Sequence, residues 1–180
     1  KRVINGPMIW SPDSSALWGP VPELNNYFLC GGLIPGFSQS GGIGLLAAQW
    51  MIDGEPSVDV WAMDVARFGT FATPQWGTVK SSENYERRFV MTFPNETLPK
   101  GRRQMTTALY DRLTAKGAVW STAFGLENVL WFANGPEDAH EDPTFRRSRA
   151  HDYVAREVEA VRSAVGAVEV ANFAKHEFKG

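Results

Sequence analysis

The sequence predicts an α+β fold, and three stretches carry that prediction. Residues 27–30 are a short apolar run of strand type, followed by a glycine-rich stretch and a helical pattern in which Ile43, Leu46, Ala47, Trp50 and Met51 recur at i, i+3, i+4, i+7 and i+8. Residues 118–124 and 127–133 read as two strands about a turn at Gly125. Val154, Val158, Val161 and Val165 form a helical stripe opposite Arg156, Glu157, Glu159 and Arg162, and that stripe is expected to lie in a core.

Each element can be justified in chain order. Residues 1–10 read as a short strand entering a turn at Asn5-Gly6-Pro7, and Ser11-Pro12-Asp13-Ser14-Ser15 is turn chemistry. Residues 17–22 hold two prolines, which exclude helix, and read as an extended loop. Residues 31–42 are rich in glycine and small polar side chains and read as a tight loop, with helix from Ile43 stopped by Gly54. Residues 58–63 read as extended and 64–68 as one helical turn. The composition changes near residue 70. Residues 74–88 read as a polar helix, and 88–93 as a strand ended by Pro94. Thr107 is placed to cap a short helix through Lys116, which Gly117 ends. Residues 134–143 form a polar loop, and a helix from Asp152 ends at Gly166. The alternating residues 173–180 look like a strand cut short, so the chain reads as an internal piece of a longer polypeptide.

The composition narrows the functional classes. The 180 residues are 43% hydrophobic and 21% charged, with a formal net charge of −2. That balance disfavours nucleic acid and anionic membrane as partners. Cys30 is the single cysteine, so a disulfide framework is excluded and a reducing compartment fits. No apolar run approaches the roughly 20 residues that a membrane helix needs. His140, His151 and His176 lie far in sequence from Cys30, Ser38 and Ser40, and no nucleophile elbow occurs. Glu137, Asp138, His140, Glu141 and Asp142 read as a solvated acidic loop, with metal binding as the lesser alternative. Arg102-Arg103 reads as a solvated loop, with an anion or neighbouring domain as its alternative partner.

The candidate binding residues are Gly36, Phe37, Ser38, Gln39, Ser40 and Gly41. A strand, a glycine loop and a helix start present unpaired backbone N–H groups with few side chains in the way. No Lys follows Gly44 as in a Walker A loop, and the spacing is not G-x-G-x-x-G, so a nucleotide pyrophosphate is not the ligand to expect. A neutral or partly anionic ring edge, such as a flavin pyrimidine, fits better. On local pattern alone, a purely structural turn is the favoured reading of this stretch.

Several of these stretches together resemble a family. Gly6-Pro7, Ser11-Pro12-Asp13, Pro22-Glu23-Leu24-Asn25-Asn26-Tyr27-Phe28, the glycine loop and Asp64-Val65-Ala66-Arg67-Phe68 look like the end of the flavin domain of dimethylglycine and sarcosine dehydrogenases and oxidases. Residues 85–94, Gly101-Arg102, Leu109-Tyr110-Asp111-Arg112-Leu113 and Trp131-Phe132-Ala133 look like their middle domain. Residues 157–180 look like the opening of their folate-binding domain, which is similar to the glycine-cleavage T-protein.

The resemblance implies three modules: residues 1–69 ending an FAD-dependent oxidoreductase domain, residues 70–134 a mixed α+β middle domain, and residues 135–180 a truncated T-protein-like module. It implies a parent that oxidises an N-methyl amine such as dimethylglycine or sarcosine by hydride transfer to FAD, and that passes the one-carbon unit to tetrahydrofolate. It implies a cytoplasmic location, or the mitochondrial matrix in a eukaryote, and leaves the electron acceptor unknown. A non-catalytic relative, such as a pyruvate dehydrogenase phosphatase regulatory subunit, shares these modules. By position, Phe37-Ser38-Gln39-Ser40 matches the family's segment against the flavin ring.

Overall fold

In a computed structural model, which describes residues 2–180, the chain divides into two units, Lys1–Val90 and Met91–Gly180. The fold class is mixed α+β, as predicted, with four α-helices, one 3-10 turn and two separate two-stranded sheets among the described residues.

The first unit is built on an antiparallel ribbon. Strand β1 (Leu17–Pro20) pairs with β2 (Phe28–Gly31), and Trp18 faces Cys30 across the ladder. Residues 17–20 are thus a strand and not the extended loop expected, because a proline at a strand edge, here Pro20, is tolerated. Trp18 is 0% exposed and anchors a cluster with Ala16, Ile43 and Val60. Trp18, Phe28 and Trp50 meet edge to face, with centroids 5.4–6.1 Å apart, the arrangement that ring quadrupoles prefer. Trp50 belongs to helix α1 (Gly36–Asp53), which lays Ile43, Leu46, Ala47 and Trp50 on the ribbon, and Gly54 ends it at φ +87°.

Residues 58–63 form turns, not the extended segment expected, and lead into a 3-10 turn at Val65–Arg67, where a helical turn was expected. The Trp18 N–H donates to the Met63 carbonyl at 3.0 Å, tying this segment to β1. Arg67, its side chain 1% exposed, donates to both carboxylate oxygens of Asp13 at 2.7 and 2.9 Å. Helix α2 (Pro74–Glu86) starts with Thr73, whose hydroxyl accepts from the Trp76 N–H at 3.2 Å, and with Pro74 in its first turn. Asn84 in α2 donates to the Pro12 carbonyl, which binds this helix to the N-terminal turn.

In the second unit, strands β3 (Ala118–Ala123) and β4 (Leu126–Phe132) form the expected hairpin. Phe124 (φ 48°) and Gly125 (φ 79°) both take positive φ, as a two-residue primed turn requires. The register shifts between Val119 and Trp120, so Leu130 is left without an opposite residue as a bulge. Helix α3 (Tyr110–Ala115) precedes β3, and α4 (Ala150–Ser163) covers β4. Tyr153 lies 4.5 Å from Trp131, and the Glu157 carboxylate accepts from the Phe132 N–H at 2.8 Å.

Several sequence expectations are corrected. Residues 2–10 and 164–180 form no strand, and Lys1 lies outside the described residues. Residues 88–93 form no strand either: the Arg88 and Val90 N–H groups close turns onto the Tyr85 and Arg87 carbonyls. Thr107 does not cap α3 with its side chain; its carbonyl accepts from the Tyr110 N–H, and Leu109 is the cap residue. The valine stripe of α4 is not core. Val158, Val161 and Val165 are 49%, 60% and 95% exposed, because α4 meets β4 through Ala150, Tyr153 and Glu157 instead.

Candidate functional site

The glycine-rich corner differs from its sequence reading. Helix α1 begins at Gly36, so Gly36 through Gly41 are its first residues and not a loop. The helix runs through Gly41, Gly42 and Gly44 because Ile43, Leu46 and Trp50 pin one face to the ribbon, and tertiary packing overrides glycine's poor propensity. Gly41 and Gly42 do not take positive φ; within residues 31–42 only Gly32 does, at +67°.

What remains of the corner is a helix N-terminus. The Pro35 carbonyl accepts from the Ser38 and Gln39 N–H groups, both at 3.1 Å, and from the Ser38 hydroxyl at 2.9 Å. The N–H groups of Gly36 and Phe37 take no partner among the described residues, and Pro35 caps neither of them. The first turn holds no acidic residue, so the positive end of the helix dipole is uncompensated. No Lys, Arg, Asp or Glu occurs between Gly36 and Ile52. A Cβ added at Gly36, Gly41, Gly42 or Gly44 meets nothing within 4 Å. Phe37, Ser38, Gln39, Ser40 and Gly41 are exposed and Gly36 half-buried. A flat ligand with an electron-rich edge fits this end: two N–H donors, a partial positive charge and no side-chain carboxylate.

The other candidates resolve into internal structure. Arg102 donates to both carboxylate oxygens of Glu127, one at 3.0 Å, and so serves the hairpin of its own unit instead of a free anion. The acidic loop is engaged by neighbouring donors. Asp138 accepts from Tyr153 at 2.5 Å and from Arg149 at 3.2 Å, Asp142 accepts from Arg149 at 2.6 Å, and Glu141 accepts from Trp131. The hydrogen bond to Asp138 is the largest cause that pushes the Tyr153 hydroxyl above its ordinary pKa, with burial adding to it. His176 is exposed in the C-terminal segment.

Sequence reading missed a cleft of about 550 Å³ in the second unit, whose walls include Arg103, Tyr110 and Trp120. Tyr110 and Trp120 stack at 4.3 Å, with Arg103 over Tyr110. Its lining comes from residues spread between Glu96 and Pro143, so no local pattern announces it.

Residues 53–107 match the FAD dependent oxidoreductase central domain, and residues 109–180 match the GCVT N-terminal domain. The mitochondrial dimethylglycine dehydrogenase of Mus musculus is 32% identical over 180 residues, which cover 99% of this chain and 21% of that protein. The mitochondrial sarcosine dehydrogenase of Homo sapiens is 30% identical over 207 residues, covering 100% of this chain and 22% of that protein. The mitochondrial pyruvate dehydrogenase phosphatase regulatory subunit of Mus musculus is 31% identical over 189 residues, covering 98% of this chain and 21% of that protein. The chain thus spans about a fifth of the length of these curated relatives. The likeness to dimethylglycine and sarcosine dehydrogenases read from the residues is borne out.

Proposed function

On the premise of this kinship with dimethylglycine and sarcosine dehydrogenases, we propose that the chain is the segment of a flavin-dependent N-methyl amine dehydrogenase or oxidase in which the flavin domain ends, the central domain runs, and the T-protein-like module begins. The supporting observation is that relatives named for oxidising dimethylglycine and sarcosine match 99–100% of the chain. The whole protein oxidises a small N-methyl amine. FAD, when bound, accepts the hydride from the substrate carbon. The GCVT-type match supports tetrahydrofolate as the acceptor of the one-carbon unit. The relatives named above are mitochondrial, which supports the matrix as the location in a eukaryote.

In this reading Gly36–Gly41 take the electron-rich edge of the flavin. The two unpartnered N–H groups donate toward it, and the uncompensated helix end favours negative charge there by roughly 0.3–1 kcal/mol, up to about 2 where partly buried. The absence of side-chain carboxylates from α1 before Asp53 keeps that field intact.

The regulatory-subunit relative supports a second reading, a flavin-binding protein without turnover. The full-length protein, mixed anaerobically with dimethylglycine or sarcosine, separates the two. Bleaching of the flavin absorbance is the outcome expected of the enzyme. Bound flavin that no N-methyl amine bleaches favours the regulatory reading.

A further inference from the structure

We propose that Gly19 is a positioning residue that sets where the N-terminus of α1 sits, by fixing Trp50 near the other end of the helix. The inference rests on the flavin reading of that terminus. Gly19 lies in β1 at φ +118°, a conformation that L side chains rarely adopt. A Cβ at Gly19 would lie 3.1 Å from Trp50 Cη2, 3.2 Å from Trp50 Cζ3 and 3.2 Å from Asp64 Oδ1. Asp64 Oδ1 is held by the Ala66 N–H at 2.8 Å. Trp50 is held on its other sides by Trp18 and Phe28, edge to face at 5.4 and 5.8 Å. The indole therefore rests against a bare stretch of strand, and a side chain at this positive φ would be strained and would push the indole by a few tenths of an ångström.

The helix converts that contact into a position at its far end. Ile43 is the single buried residue of α1. It stands seven residues after Gly36 and seven before Trp50, so the arms on either side are each about 10 Å at 1.5 Å per residue. A displacement of Trp50 about that pivot returns at Gly36 with similar size and opposite sense. Hydrogen bonds weaken over a few tenths of an ångström and a few tens of degrees, so a side chain at Gly19 degrades the donors some 20 Å away on the helix without touching them.

The test uses the full-length flavoprotein, with dye equilibration as the readout. At a fixed dye ratio, Gly19→Ala lowers the ratio of reduced to oxidised flavin by about threefold, the scale of losing part of a helix-end interaction. Val60→Ala, in the same buried cluster, lowers the unfolding midpoint and leaves that ratio unchanged. Should Gly19→Ala not fold, Trp50→Phe, which removes the abutting ring edge, shifts the ratio instead. Ser38→Asp, which places a carboxylate in the first turn of α1, separates the two claims. If Ser38→Asp shifts the ratio and neither Gly19→Ala nor Trp50→Phe does, the positioning role is overturned and the flavin reading stands. If Ser38→Asp also leaves the ratio unchanged, the flavin reading falls and this inference with it.

Discussion

Arg102 and Glu127 lie 25 positions apart and form a two-pronged ion pair, with the Glu127 side chain 1% exposed and that of Arg102 22% exposed. Glu127 sits in β4 and Arg102 in the preceding loop, so the pair fastens that loop to the hairpin. The same loop adds a rung: the Met105 N–H donates to the Gly125 carbonyl, and the Glu127 N–H to the Met105 carbonyl.

The unequal burial makes the two halves of this pair unequal in cost. Arg102→Ala strands a carboxylate that water cannot reach, and the expected loss is about 3–5 kcal/mol. Glu127→Gln keeps a hydrogen-bond acceptor and leaves a guanidinium that reaches solvent, so the expected loss is smaller, about 1–3 kcal/mol. Urea unfolding of the two variants checks the order. Equal losses would mean that Glu127 is reached by water in solution.

Tyr153 gives a pH prediction. Its hydroxyl donates to Asp138, and that bond raises its pKa above the ordinary value of about 10. The folded pKa exceeds the unfolded one, so the contribution to stability is complete below pH 10. It is lost as pH rises through the folded value. Tyr153→Phe should therefore flatten the alkaline fall in stability while lowering stability at neutral pH. Ultraviolet titration checks the cause: a tyrosine ionisation above the ordinary value should vanish in the variant.

The valines of α4 separate pattern from packing. Val158→Ser and Val161→Ser should change stability by no more than about 0.5 kcal/mol, because both side chains are exposed. Trp131→Ala, at a site 1% exposed, should cost about 3–5 kcal/mol. Thermal unfolding of these variants of the 180-residue chain checks the contrast. Losses above about 2 kcal/mol at Val158 or Val161 would show that the stripe is buried in solution.

The same valines show where sequence reading stops. Periodicity finds a helix and its apolar side, and it located α4, the β3–β4 hairpin and α2 to within a few residues. It does not say which side meets a neighbour in this chain. Tyr153 and Glu157 make that contact through a ring stack and a carboxylate on a backbone N–H, neither of which hydrophobic spacing registers. The start of α1 escapes sequence reading for a related reason. Its glycines favour a loop locally, and only the packing of Ile43 and Trp50 on Trp18 makes them helical.

The size of that corner's contribution fixes what the 180 residues can do alone. A helix end with two open N–H groups offers roughly 2 kcal/mol at most to an anionic edge. Micromolar affinity needs about 8 kcal/mol. The candidate residues 36–41 supply neither a pyrophosphate cradle nor a charged side chain to make up the difference. The isolated chain should therefore lose FAD on gel filtration and show no saturable quenching of flavin fluorescence below about millimolar concentration, where 4.1 kcal/mol would already be required. Stoichiometric yellow protein after gel filtration would mean that a further part of the chain holds the cofactor. The exposed start of α1 would then no longer suffice to describe the site.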